Sequence, residues 1–337
     1  MKVLITGGAG FLGAQLARAL LAHHMLAGRT VERLVIADLA PPPADLLADA
    51  RVEARAGALS GQCAALAAER FDGVFHLAAA VSAECELDFE RGLAANLDAT
   101  RALLDALRKV GNVPRFVFAS SLAVFGNDAA VPLPRVVRDD TRPTPESSYG
   151  TQKLIGELLV ADYTRKGYLD GRSVRPVTVV VRPGRPNAAA SGFLSGIIRE
   201  PLAGREAICP VAPAAEVALS SPARTVAGFI AAFEANADAY GSRTALTLPA
   251  LTVRVQDMLD ALERIAGREA RARVRFESDP LVARLVASWP ARVEAQRAAR
   301  LGLAPDPDFA SIVRQYVRDH PGAVIDPHVR AAAQADG

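Results

Sequence analysis

Two side chains spaced four residues apart near the middle of the chain have the types needed for acid–base chemistry. Tyr149 and Lys153 lie in residues 147–166, a segment typical of a helix, and this spacing places both on one helix face. A nearby ammonium stabilises a phenolate, so the pair predicts a tyrosine that acts as a general base, with its pKa lowered by Lys153. The alternative is a Tyr–Lys pair on a solvated helix surface.

A hydroxyl group follows a short apolar run upstream of this pair. Residues 115–119 predict a buried strand, and Ser120 and Ser121 come directly after it. Open α/β sheets bind ligands at the carboxyl ends of their strands, so we predict that Ser121 orients a substrate oxygen for Tyr149. The alternative is that both serines only satisfy main-chain groups in a turn.

The N-terminal residues predict a dinucleotide-binding turn. An apolar run at residues 3–6 leads into glycines at positions 7, 10 and 13, and a helix-like segment begins within the turn. Glycine permits a tight turn and a close approach of the main chain to a pyrophosphate, which the helix N-terminus then binds. The residues predicted to hold the cofactor here are Gly7, Gly10, Phe11, Leu12 and Gly13.

An acidic residue ends the second predicted strand. Asp38 directly follows the apolar run at residues 34–37. A carboxylate at this place accepts hydrogen bonds from the adenosine ribose hydroxyls and repels a 2′-phosphate. The predicted cofactor is therefore NAD rather than NADP, the alternative being an aspartate that only caps the next segment.

These residues require elements that position them, and the first half of the chain alternates apolar runs with helical segments. Strands are predicted at residues 3–6, 34–37, 52–55, 74–78, 115–119 and 177–182, and helices at residues 10–24, 61–69, 83–110 and 147–166. Near-continuous apolar strands are typical of parallel sheets covered on both faces. The pattern therefore predicts the α/β class with a Rossmann-type doubly wound parallel sheet.

The pattern changes after Pro183, where Gly, Pro, Asn and Ser cluster and the later helices are separated by turns. We predict an NAD-binding Rossmann domain over residues 1–183, with a return of residues 217–248. Within that return, Ser221 and Pro222 are typical of a helix start. Residues 184–216 and 249–337 are predicted to form a smaller, mostly C-terminal substrate domain.

The composition of the 337 residues narrows the class of protein. A net charge of +2, without a basic stripe interleaved with aromatic residues, argues against nucleic-acid binding, and no apolar run is long enough to span a bilayer. The five histidines lack metal-ligand spacing, so no metal is predicted. Three scattered cysteines, and a glycine turn that leaves no room for a signal peptide, predict a cytoplasmic protein.

Several motifs together resemble the extended short-chain dehydrogenase/reductases, which include nucleotide-sugar epimerases and dehydratases. They are residues 6–13, 76–79, 96–100, 120–126 and the Tyr149…Lys153 pair. The resemblance implies that Ser121 is the active-site hydroxyl and that a homodimer forms through the segments 83–110 and 147–166. It also implies further cofactor contacts from Leu77, Ala78, Ala79, Asn96, Ser120, Tyr149, Lys153 and Pro176.

Two positions depart from that family's usual pattern. Ala58 stands where relatives usually carry an acidic residue that contacts adenine, and Phe125 stands where many carry tyrosine. Other groups, such as main-chain N–H groups, must therefore make the adenine contact.

A narrower resemblance points to the chemistry. Residues 148–153, 181–193, 197–202 and 287–290 look like those of the bacterial D-erythronate dehydrogenases, a family that oxidises the C2 hydroxyl of a four-carbon sugar acid with NAD. The resemblance implies hydride transfer from C2 to NAD, with Tyr149 as the general base. The alternatives are a nucleotide-diphosphate-sugar 4-epimerase or dehydratase with tightly bound NAD, and a non-catalytic NAD-binding protein, which the intact Ser121, Tyr149 and Lys153 disfavour.

An anionic sugar acid requires cationic or amide-rich groups beside the crevice. Arg185 or Arg224 is predicted to bind the carboxylate, and Asn187 and Ser191 to bind hydroxyls, with Gly192 beside them. The alternative for either arginine is an ion pair with a surface acid.

Overall fold

The structure is a computed structural model that describes residues 1–184 and 191–335. The strands, in chain order, are β1 (Lys2–Thr6), β2 (Met25–Leu26), β3 (Arg29–Thr30), β4 (Arg33–Asp38), β5 (Val52–Ala56), β6 (Gly73–His76), β7 (Arg115–Ala119), β8 (Val137–Arg138), β9 (Asp170–Arg175), β10 (Thr178–Val179), β11 (Ala207–Cys209), β12 (Glu216–Ser220), β13 (Leu246–Thr247), β14 (Leu251–Arg254), β15 (Val274–Phe276) and β16 (Val293–Glu294).

The helices surround these strands. They are α1 (Phe11–His23), α2 (Ala44–Leu47), α3 (Leu59–Ala68), α4 (Ser82–Leu87), α5 (Phe89–Gly92), α6 (Ala99–Val110), α7 (Ser148–Arg165), α8 (Gly192–Leu202), α9 (Pro222–Glu234), α10 (Ala237–Tyr240), α11 (Val255–Ala272), α12 (Pro280–Ala287), α13 (Gln296–Arg300), α14 (Phe309–Asp319) and α15 (Pro327–Ala335). A π-helix covers Leu93–Asp98, and 3-10 turns cover Leu122–Val124 and Pro321–Ala323. Within the described ranges, no helix has the length and apolar character needed to cross a membrane.

A seven-stranded parallel sheet in the order β13-β9-β7-β6-β1-β4-β5 organises the N-terminal part. Successive residues of a strand point to opposite faces. Accordingly, Val3 and Ile5 belong to the apolar cluster on one side of β1, and Leu4 belongs to the cluster on the other. The predicted Rossmann-type α/β fold is confirmed, and all the strands end at one edge, where a ligand crevice is expected.

The prediction that residues 177–182 form a further strand of this sheet is wrong. The strand beside β7 is β9, which ends at Arg175, and the short β10 instead joins a separate sheet in the order β10-β12-β14. Pro176 lies between β9 and β10 and has no N–H to donate to a ladder, so the chain leaves the main sheet there.

The predicted continuous helix at residues 83–110 is also interrupted. It consists of α4, α5, the π-helix Leu93–Asp98 and α6. π-helical turns are rare and often occur at functional sites, and this one contains the buried Asn96.

The C-terminal part contains a second apolar cluster, built mainly from α8, α11 and α14. Between these elements, α9 packs against α1, β7 and β9, and β13 pairs with β9 in the main sheet. The predicted helix start is confirmed, because the Ser221 side chain accepts a hydrogen bond from the Arg224 N–H at 3.2 Å, with Pro222 in the first turn.

Candidate active site

The turn between β1 and α1 has no room for side chains at two of its glycines. Gly7 has a φ of +70°, and a Cβ atom there would lie 2.5 Å from the main-chain nitrogen of Ala78. A Cβ atom at Gly13 would lie 2.2 Å from the Gly7 carbonyl oxygen. Bare main chain at the N-terminus of α1 fits a pyrophosphate, and Ala78 lies directly across the turn from Gly7.

The aspartate predicted to bind the adenosine ribose lies beside this turn. Asp38 ends β4, and its Oδ2 accepts a hydrogen bond from the Ala9 N–H at 2.9 Å. Its Oδ1 accepts one from the Ala40 N–H at 3.3 Å. The carboxylate is therefore fixed next to the glycine turn, where its negative charge disfavours a 2′-phosphate.

Close packing brings Tyr149 and Ser121 together. Tyr149 lies in the first turn of α7, whose N-cap Ser147 accepts the Gly150 N–H at 3.0 Å, and Ser121 caps the turn Leu122–Val124 that follows β7. A Cβ atom at Gly150 would lie only 2.1 Å from the Ala123 carbonyl oxygen. This contact packs the start of α7 against the turn, and it brings the Ser121 hydroxyl close enough to the Tyr149 phenol to lower the pKa of that phenol.

Lys153 lies one helical turn further, deep in the protein. It is 3% exposed, and its Nζ donates a hydrogen bond to the Ala119 carbonyl oxygen at 2.8 Å. The ammonium is 5.6 Å from the centroid of the Tyr149 ring. Burial lowers the pKa of Lys153 to about 8, while the nearby Cys85 and Glu157 side chains oppose that shift.

The pKa of the Tyr149 phenol is set by groups beyond the predicted pair. Burial raises this pKa, the Ser121 hydroxyl and the Arg182 guanidinium lower it, and the Cys85 thiol raises it. Arg182 belongs to a motif quoted above but was not predicted as a site residue. The acidifying effect assigned to Lys153 stays a prediction.

A buried ion pair lies behind Lys153. Glu157 accepts two hydrogen bonds from Arg175, at 2.7 Å from Nε and 2.6 Å from Nη2. The Ser120 hydroxyl donates to the same carboxylate, so it is occupied within the protein, and its predicted cofactor contact stays a prediction. The next residue, Pro176, accepts the Leu122 N–H at 3.0 Å and so joins the end of β9 to the serine turn.

Asn96 connects the loop after β6 to α7. Its Oδ1 accepts the Ala80 N–H at 2.7 Å, and its Nδ2 donates to Gln152 Oε1 at 2.8 Å and to Cys85 Sγ at 3.2 Å. This network fixes the loop that contains Leu77, Ala78 and Ala79. Gln152 was not predicted, although its position directly before Lys153 is a signal that could have identified it.

The predicted substrate residues are less completely placed. Ser191 precedes α8, Gly192 begins it, and Arg224 lies in the first turn of α9 with an exposed side chain. Arg185 and Asn187 lie outside the described residues. The roles of all five stay predictions.

Comparisons with known proteins agree with this geometry. The model of the NAD dependent epimerase/dehydratase family matches residues 3–215. D-erythronate dehydrogenase of Cupriavidus necator is 48% identical over 325 residues, which cover 95% of this chain and 98% of that protein. D-erythronate dehydrogenase of Haemophilus influenzae is 41% identical over 319 residues, which cover 94% of this chain and 99% of that protein. A crystal structure of the nucleoside-diphosphate-sugar epimerase from Agrobacterium tumefaciens has a TM-score of 0.90 at 41% identity. The match covers 97% of this chain and 96% of that one.

Proposed function

Because the chain belongs to the NAD-dependent epimerase/dehydratase family and is an NAD-dependent oxidoreductase, we propose that it oxidises the C2 hydroxyl of D-erythronate, or a closely related sugar acid, to the 2-oxo acid. The observation that carries this proposal is the grouping of Ser121, Tyr149 and the buried Lys153, whose ammonium is 5.6 Å from the Tyr149 ring centroid, at the sheet edge that also carries the glycine turn. Two relatives that the chain covers over almost their whole length are named D-erythronate dehydrogenase.

The residues present fit NAD. The glycine turn offers main-chain N–H groups to a pyrophosphate, and the Asp38 carboxylate lies beside it to accept hydrogen bonds from ribose hydroxyls. When bound, NAD accepts the hydride that leaves the carbinol carbon. We assign the remaining contacts to Leu77, Ala78, Ala79, Asn96, Lys153 and Pro176.

Tyr149, Ser121 and Lys153 would each have a separate role in the oxidation. The C2–H bond breaks with both electrons leaving as hydride, while the phenolate of Tyr149 takes the hydroxyl proton and the C2–O bond becomes a carbonyl. Ser121 holds the reacting oxygen through its hydroxyl, and Lys153 supplies a positive charge on the inner side of the phenol ring. The products are the 2-oxo acid, NADH and one proton.

Absorbance of NADH tests this function directly. Purified protein with NAD and D-erythronate should accumulate NADH, and NADP should support a much lower rate because Asp38 repels its 2′-phosphate. Tyr149→Phe should reduce turnover by about 100-fold or more, since it removes the proton acceptor. Tyr168→Phe, a change of the same kind outside the site, should leave turnover unchanged. Absence of NADH with every four- to six-carbon aldonate would refute the proposal.

A nucleotide-diphosphate-sugar epimerase is the second candidate, because the Agrobacterium tumefaciens structure with a TM-score of 0.90 carries that description. An epimerase returns the hydride within one catalytic cycle and retains its cofactor. Net NADH formation with freely exchanging cofactor would therefore exclude it, whereas tightly bound NAD and turnover of a nucleotide sugar would support it.

We propose the two domains that the sequence predicted, one that binds NAD and one that binds the substrate. Residues 1–183 and 217–248 would bind NAD, and residues 184–216 and 249–337 would bind the sugar acid, with Arg185, Asn187, Ser191, Gly192 and Arg224 as candidate contacts. The separate apolar cluster around α8, α11 and α14 supports this division.

We further propose a cytoplasmic homodimer. Leu87, Phe89 and Leu158 are 84%, 56% and 63% exposed, and they lie on α4, α5 and α7, which pack against one another and fall within the predicted interface segments. The three free thiols suit a reducing compartment. Sedimentation velocity should give twice the chain mass, and a monomer at micromolar concentration would contradict the dimer.

A further inference from the structure

Hydrogen bonds hold both the main chain and the side chain of Arg182, and the charge of its guanidinium acts on the phenol of Tyr149. Its main-chain N–H donates to Ser195 Oγ at 3.1 Å, and its carbonyl oxygen accepts from Arg199 Nη1 at 2.8 Å. Among the described residues, the guanidinium donates one hydrogen bond, from Nε to the Val179 carbonyl oxygen at 3.1 Å. A guanidinium has five N–H donors, so the two terminal nitrogens have no acceptor within this part of the chain and could bind a planar anion.

The positive charge of Arg182 has no protein counter-ion in residues 1–184 and 191–335. Other arginines in buried surroundings are each paired with a carboxylate: Arg172 with Asp170, Arg175 with Glu157, and Arg199 with Glu200. The segment at residues 185–190 carries no acidic side chain that could fill this role. Burial also lowers the pKa of the Arg182 guanidinium, so a bound anion would relieve an unfavourable environment.

The position of this charge limits the kind of anion. Arg182 interacts electrostatically with the Tyr149 phenol, which must contact the hydroxyl of the reacting carbon. A carboxylate attached directly to that carbon would lie on the side of the guanidinium when the neighbouring hydroxyl meets Tyr149 and Ser121. A carboxylate several carbons away, or the diphosphate of a nucleotide sugar, would place its charge elsewhere.

We propose that Arg182 is the specificity-determining residue that binds the carboxylate of a 2-hydroxy acid and so directs oxidation to C2. This inference rests on the proposed function and assigns the carboxylate contact to a residue other than Arg185 and Arg224. The bidentate geometry of a guanidinium with a carboxylate also fixes the plane of the acid, and hence the direction of the C2–H bond.

Isothermal titration calorimetry of D-erythronate against the enzyme–NADH complex measures this contact without turnover. Arg182→Gln should weaken binding by about 100-fold, because a charge-assisted contact is lost. Arg182→Lys keeps the positive charge but cannot donate two parallel hydrogen bonds to a carboxylate, so it should weaken binding by about tenfold. Arg268→Gln, at a side chain that is 95% exposed, is the matched control and should bind like the parent. NADH affinity and melting temperature check that each variant is folded.

Steady-state kinetics with D-erythronate and its uncharged carboxamide complete the test. Arg182→Gln should raise KM for the acid by about 100-fold and change KM for the amide by less than about threefold. Equal affinity of parent and Arg182→Gln for D-erythronate, or equal losses with acid and amide, would overturn the assignment and leave only an effect on the phenol. Failure of the parent enzyme to oxidise any 2-hydroxy acid would instead refute the proposed function. The calorimetric experiment measures binding without turnover, so it tests the carboxylate contact separately.

Discussion

Lys153 holds a buried positive charge whose ammonium donates a hydrogen bond to the Ala119 carbonyl oxygen. Its pKa is about 8 in the folded chain and 10.5 without burial. The unfolded chain therefore binds this proton more tightly, and the fold loses stability as the pH falls from 10.5 to 8. At pH 7 the whole cost is present, about 3 kcal/mol. The site thus retains a cation at the expense of stability, as active sites often do.

Lys153→Met should consequently stabilise the protein while inactivating it. Removing the buried charge should raise the free energy of unfolding at pH 7 by about 3 kcal/mol. The lost hydrogen bond to Ala119 should lower it by about 1 kcal/mol, so the net gain is about 2 kcal/mol. Turnover should fall by about 100-fold or more. Urea unfolding and the NADH assay measure the two effects, and Lys166→Met, at an exposed position, should change neither. A destabilised Lys153→Met variant would contradict this account of the ammonium.

Local spacing was sufficient for part of the site but not for all of it. Tyr149 and Lys153 are one helical turn apart, so the pattern alone could place them on one face, and Ser121 follows a recognisable strand. Arg182 has no such local mark. Its charge acts on the phenol because the chain leaves the main sheet at Pro176, a change of direction that no periodicity in residues 177–182 reveals.

The junction between α7 and the turn Leu122–Val124 determines how accurately these groups meet. At Gly150 the helix main chain approaches the Ala123 carbonyl oxygen so closely that a Cβ atom would lie 2.1 Å from it. Gly150→Ala must therefore push α7 away from the turn that carries Ser121. We expect a loss of about 1–3 kcal/mol in unfolding free energy and at least about tenfold in turnover.

Gly61→Ala is the matched control for this variant. Gly61 is also a helical glycine, in α3, but apart from its chain neighbours and its own helix backbone no atom of the described residues lies within 4 Å of the position of its Cβ. The same substitution there should raise stability by up to about 1 kcal/mol, because alanine favours the helix, and leave turnover unchanged. Equal effects at the two positions would show that the helix–turn contact is not critical.

The elements also show where sequence periodicity fails. Strands such as β1 and β6 were predicted because they are buried on both faces and therefore nearly continuous in apolar residues. By contrast, β9 contains Asp170, Arg172 and Arg175, whose charges are satisfied by ion pairs, so it lacks an apolar run. The π-helix was missed since its apolar pattern matches that of an ordinary helix.

A buried chain of hydrogen bonds joins the two halves of the crevice across the sheet. His76 Nδ1 bonds to Thr6 Oγ1 at 2.6 Å, its Nε2 bonds to Thr100 Oγ1 at 2.8 Å, and Thr100 in turn donates to the Asn96 carbonyl oxygen at 2.7 Å. This chain connects the strand that leads into the glycine turn with the π-helix behind Lys153. It requires a neutral imidazole, and burial, assisted by the Lys153 charge, lowers the pKa of His76 to about 3.

The stability of the entire fold should therefore fall in mild acid. The folded pKa of His76, about 3, is below the ordinary value of 6.5, so between these two pH values the unfolded chain binds a proton that the folded chain does not. Its contribution to the unfolding free energy is complete above pH 6.5 and is lost as the pH falls, by about 2 kcal/mol at pH 5.

Urea unfolding at pH 7.5 and pH 5 separates this contribution from that of the carboxylates. His76→Gln should be less stable than the parent at pH 7.5, because glutamine cannot bridge Thr6 and Thr100, yet it should lose about 2 kcal/mol less between the two pH values. His328→Gln, at an exposed position, should lose as much as the parent. If parent and His76→Gln lost the same free energy between the two pH values, protonation of this imidazole would not be the cause of the acid sensitivity.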